Sequence, residues 1–167
     1  MGVALGKSGD LLFEGVAVPR DSQLNILGTI VTQTLSPENH INARIAAAWR
    51  AFWAERGLLL ARGTDIMQRL KLLKAFIMPI LVFGVETQQV GPNDLKRLDS
   101  AFIDMASRVI AMPRAGRPWL EWRIDSLRSA RAALEEAHFN RVATVVGRAM
   151  FRVACWAVSG EGRVGVD

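Results

Sequence analysis

Residues 65–87 read DIMQRLKLLKAFIMPILVFGVET, and their pattern decides the fold class. Asp65 followed by Gln68 is a capping-box-like pair that opens a helix. Ile66, Leu70, Leu73 and Ile77 then recur at helical spacing and form one apolar stripe. Pro79 stands inside the apolar continuation and is expected to kink or end the helix, because its ring removes a backbone donor. Gln68, Lys71 and Lys74 fall at three-residue steps with Arg69 beside them, a polar stripe flanking the apolar one.

The same period extends on both sides. Upstream, Ser36-Pro37-Glu38 is a helix start: a hydroxyl cap, a proline at the first helical position and an acid in the first turn. Ile41, Ile45, Ala48, Trp49 and Phe52 follow at helical spacing, and the helix is expected to stop near Gly57 or run to about Leu60. Downstream, Gly91-Pro92-Asn93-Asp94 starts a third helix, which carries Leu95, Leu98, Phe102, Met105, Val109 and Met112 and is expected to end at Pro113. After a basic linker at 114–118, the helical period resumes at Trp119 and continues to about Trp156.

Ahead of these helices the period is two. Residues 11–18, LLFEGVAV, and 24–32, LNILGTIVT, read as two strands joined by a polar turn at Pro19–Ser22, with Gly28 inside the second. The expected fold is therefore mainly α: an N-terminal β-hairpin over 1–35, a helical domain over 36–113, a C-terminal helical region over 114–158 and a glycine-rich tail at 159–167. That makes four to five helices in a bundle-like arrangement. A lone two-stranded hairpin is marginal and presents unpaired edges, so self-association through that edge is expected.

With 50% hydrophobic residues the chain is too apolar for a disordered segment. Its apolar runs are too short for a membrane span, and no secretion signal opens it, so an intracellular setting without membrane partners is expected. One cysteine and two histidines leave almost nothing for a metal site. Cys155, among apolar neighbours, reads as a buried, inert thiol, and His40 and His138 read as surface residues. No nucleophile-elbow, phosphate-loop or zinc-protease motif is present. Asp99 and Asp104 lie five apart on one helix, so their side chains diverge by about 140°.

What remains is basic charge. Residues 1–38 hold two basic and four acidic side chains, whereas 39–167 hold 19 and 12, and 17 of all 21 bases are arginine. Arginine's planar fork suits bidentate phosphate contacts. Arg44, Arg50 and Arg56 spread over the exposed side of the first helix and, with the Gln68–Lys74 stripe, can follow a phosphate backbone. An ordinary solvated surface fits the same spacing.

Word order along 24–123 adds weight to the phosphate reading. Ile26-Leu27-Gly28, Ala43–Trp49 (ARIAAAW), Arg69–Ala75 (RLKLLKA), Pro79–Thr87 (PILVFGVET) and Leu95–Leu98 leading to Ser107–Ile110 occur in that order, with Trp119–Trp122 following more loosely. This succession resembles the segment after the catalytic palm in reverse transcriptases of non-LTR (LINE-type) retrotransposons. Ile26 and Phe83 stand where that family has tyrosines. The resemblance implies that Leu27 and Gly28 correspond to the primer grip and residues 36–113 to the thumb. It implies that Arg44, Arg50, Gln68, Arg69, Lys71 and Lys74 face the backbone of an RNA–DNA or DNA duplex, weakly and without sequence preference. The family's paired aspartates, which hold two magnesium ions ~4 Å apart, would lie upstream of residue 1. The chain is thus expected to be a polymerase fragment with no catalytic residue and no cofactor of its own. A stand-alone basic helical RNA- or DNA-binding module, or a non-catalytic helical interaction protein, are the alternatives.

Overall fold

A computed structural model describes residues 3–5, 11–13, 16–17, 23–26, 29–32, 37–61, 63–111 and 113–161. The chain is mainly α, as its periodicity implies. The helices are α1 (Glu38–Ala54), a single turn α2 (Arg56–Leu59), α3 (Ile66–Val82), α4 (Pro92–Ile110), α5 (Trp119–Glu136) and α6 (Val142–Glu161). α4 is central: α1, α3, α5 and α6 all pack against it. Ile41, Phe52, Leu70, Leu73, Ile77, Leu98, Met105 and Val109 meet in a core fully shielded from solvent, each burial stabilising by ~1.5–3 kcal/mol.

Local chemistry sets most helix ends. The Asp65 carboxylate accepts from Met67 N–H at 2.9 Å and Gln68 N–H at 3.3 Å, capping α3. At α4, Gly91 N–H donates to Asp94 Oδ2 at 3.0 Å and Pro92 takes the first helical position. α1 starts at Glu38, with Pro37 in the cap position and no side-chain cap.

Of the two effects expected of Pro79, ending the helix does not occur: α3 runs through it to Val82. Only one carbonyl, that of Ala75, loses its partner, and Ala75 is exposed, so water can meet it. The stop comes at Gly84, whose φ of +70° reverses the chain. The helical region from Trp119 is broken once, into α5 and α6. α5 ends in a Schellman motif, with Phe139 N–H on Leu134 O at 2.9 Å and His138 N–H on Glu135 O at 2.9 Å. His138 takes the left-handed position there at φ +51°, a place glycine usually fills.

The two expected strands are each doubled back. β2 (Leu11–Phe13) pairs antiparallel with β3 (Val16–Ala17), with Phe13 opposite Val16, and β1 (Val3–Leu5) completes this three-stranded sheet. β4 (Gln23–Ile26) pairs with β5 (Thr29–Thr32), with Ile26 opposite Thr29. Two residues separate the paired ends in each case, too few for the strand to continue straight. Leu27 and Gly28, expected at the primer grip, and the Ser36 cap lie outside the described residues.

His40 joins the β4–β5 hairpin to the helices. It is fully buried rather than at the surface. Ile30 N–H donates to its Nδ1 at 3.2 Å, and its Nε2 lies 3.0 Å from Phe83 O. An amide can only donate and a carbonyl can only accept, so the imidazole is the neutral Nε2–H tautomer. Burial holds its pKa below the usual value near 6.5. The Phe83 hydrogen bond opposes that shift, Arg44 reinforces it and Glu86 opposes it. Because the folded value is depressed, the stability His40 contributes is complete above pH 6.5 and is lost as pH falls through the folded value. Thermal melts are therefore expected to show a falling Tm as pH drops below 6.5 in the native protein, and a flatter profile over that window in His40→Asn.

Candidate nucleic-acid interface

The bases expected to face phosphates divide into three groups. Arg50, Gln68 and Lys71 are exposed. Successive steps of three turn back by about 60°, so Gln68 and Lys71 share one side of α3. Arg50 projects from the exposed face of α1, and neither it nor Lys71 makes a hydrogen bond or ion pair among the described residues.

Arg44 and Lys74 are half-buried and sit against aromatic rings. The Arg44 guanidinium lies 5.4 Å from the Phe83 ring centroid, and Lys74 Nζ lies 4.5 Å from that of Phe139. Lys71 and Phe83 are twelve positions apart on the same segment, roughly 18 Å along a helix axis. Arg44 therefore belongs with the hairpin end of α3, and Gln68 and Lys71 with the other end.

Arg69 stands apart from the stripe. Its side chain is buried at 7% exposure, and Nη1 donates to Val109 O at 2.8 Å. Val109 is in the last turn of α4, where carbonyls lack helical partners and the dipole favours a cation. A side chain so placed caps a helix and does not reach a phosphate. Helical spacing sets Arg69 about 200° from Lys71 and beside Leu73 of the apolar stripe, but the carbonyl it meets lies 40 positions away and has no local signal.

The carboxylates of α4 are engaged structurally. Asp99 Oδ1 accepts from Val142 N–H at 3.1 Å, capping α6. Asp104 pairs with Arg123, which also donates to Ser107 Oγ. Arg117 and Arg128 both pair with Asp125. Among the described residues, no group of three or more His, Cys, Asp or Glu side chains is arranged to hold a metal ion. Cys155 is exposed, not buried.

One surface feature escapes a reading by spacing. Trp49 and Trp53 stack at 6.4 Å between centroids, and the Arg108 guanidinium of α4 lies 5.2 Å from one ring and 5.6 Å from the other. The i, i+4 tryptophan pair is visible in the sequence, but Arg108 is not, because only the α1–α4 packing brings it there.

Comparison with known proteins finds no matching family model, curated protein or solved structure. No helix among the described residues is long and apolar enough to cross a membrane.

Because Arg69 caps α4, replacing it with methionine is expected to destabilise the fold by ~1–3 kcal/mol, the cost of an unpaired buried carbonyl. Any affinity for nucleic acid per folded molecule is expected to stay unchanged. Urea melts beside a binding titration check both halves.

Proposed function

We propose that this chain is the template–primer-gripping part of a non-LTR retroelement reverse transcriptase, holding a duplex by its backbone and performing no chemistry itself. The order of five sequence words over 24–123 carries the reading. The best of those words, Pro79–Thr87, coincides with a structurally demanding turn, which supports treating it as more than composition. Gly84 is left-handed there, and a Cβ on it would stand 2.5 Å from Thr29 Oγ1. Thr87 Oγ1 donates to Gly84 O at 2.8 Å.

Arg50 and Lys71, exposed and without an ion pair among the described residues, suit phosphate contact, with Gln68 beside Lys71 to donate a neutral hydrogen bond. Arg44, on α1 beside the Phe83 end of α3, and Lys74, midway along α3, contribute charge while their rings hold them in place. Such contacts position a duplex and carry no sequence information. Magnesium and the aspartates that hold it would belong to the palm. A stand-alone basic helical module would use the same exposed cations, and this second reading shares the binding prediction without the polymerase origin.

Fluorescence anisotropy with a labelled RNA–DNA hybrid tests the reading. Binding is expected with Kd of order 10⁻⁶–10⁻⁴ M, falling steeply as salt rises. Arg50→Glu with Lys71→Glu, both exposed, is expected to weaken binding and lower the log–log salt slope by about one per lost phosphate contact, with circular dichroism unchanged. Salt-insensitive binding, or none at low salt, contradicts the proposal. Primer, template, magnesium and nucleotides should yield no extension; extension would overturn the non-catalytic part.

A further inference from the structure

A cavity of about 350 Å³ opens between α4, α5 and the turn leading into α6. Its floor is apolar and includes Phe102, Ile103, Leu134 and Phe139. The Schellman motif builds one wall of it, because that turn brings Phe139 back beside Leu134.

The charges around it are unequally occupied. Asp99 caps α6, and Glu135 faces Arg141 at 3.8 Å. Lys96 and Arg131, which also line the cavity, make no hydrogen bond or ion pair among the described residues. Two uncompensated cations thus border an apolar, partly aromatic floor. Lys74, on the other expected binding element, lies 4.5 Å from the ring of Phe139, so the α3 stripe and the cavity share that side chain.

We propose that this cavity binds one nucleoside phosphate, its flat base against the Phe139 side of the floor and its phosphate at Lys96 and Arg131. Size and charge select this class. The volume is at the lower end of the ~300–1,000 Å³ of small-molecule sites. A phosphate monoester carries about −1.5 to −2 at neutral pH, which matches two free cations better than a carboxylate does. Base stacking on an aromatic side chain tolerates any base. The ligand is either a free mononucleotide or an unpaired nucleotide at the end of a bound strand. The second source rests on the nucleic-acid reading above; the first does not.

AMP, adenosine and inorganic phosphate, titrated separately at low salt, are the probes, read by methyl NMR at Ile103 and Leu134. AMP is expected to shift both residues saturably, and adenosine and phosphate to bind at least about tenfold more weakly. Lys96→Glu with Arg131→Glu, both exposed, is expected to weaken AMP by about tenfold or more while leaving the unliganded spectrum folded. No shift with AMP, equal binding of adenosine, or full binding by the double variant would overturn the proposal. A hybrid with one unpaired 3′ nucleotide, compared with a blunt one, separates the sources. Tighter binding of the tailed hybrid, abolished in the variant, assigns the cavity to a strand end; AMP binding without that difference assigns it to a free nucleotide. Salt-dependent binding of blunt hybrid with no AMP response sinks this inference and leaves the gripping function standing. AMP binding without hybrid binding does the reverse.

Discussion

One buried imidazole holds the two halves of this architecture together. His40 receives the amide of Ile30 from the hairpin and donates to the carbonyl of Phe83 at the end of α3. Each of those backbone groups would otherwise be at risk of burial without a partner, at ~1–3 kcal/mol apiece. Only a neutral ring in one tautomer serves both. Close approach is the second condition. Gly84 lies against Thr29 and the His40 ring, with no space for a Cβ, so the hairpin, α1 and the turn after α3 must be built together.

That constraint also fixes where the cations lie. The hairpin rests at the Phe83 end of α3, where Arg44 also sits, while Gln68 and Lys71 occupy the other end. Much of the chain's arginine does something else. Arg69 caps α4, Arg123 ties α5 to α4, and Arg117 and Arg128 pair with Asp125 of α5. The net charge therefore overstates the surface offered to an anion, and the smaller set of uncompensated cations carries the functional argument.

Legibility followed the range of the interaction. The starts of α3 and α4 were readable because Asp65 and the Gly91–Asp94 pair act within three residues. The break between α5 and α6 was not, because a histidine and not a glycine takes the left-handed position. The doubling of both strands had a signal that spacing overrode: a glycine, Gly15 or Gly28, within each two-residue connection. Among site residues, exposure of Lys71 and Arg50 followed from amphipathic periodicity. The burial of Arg69 and of His40 depends on carbonyls 40 and 43 positions away, and no local pattern reports a partner at that distance. The cavity likewise exists only once α4 and α5 pack.

The tautomer of His40 tests this account most directly. Long-range ¹⁵N–¹H correlation at pH 7 should show a neutral ring protonated at Nε2, with an acceptor-type Nδ1. A ring protonated at Nδ1, or one already charged at pH 6.5, would contradict the joint between hairpin and helices on which the rest is built.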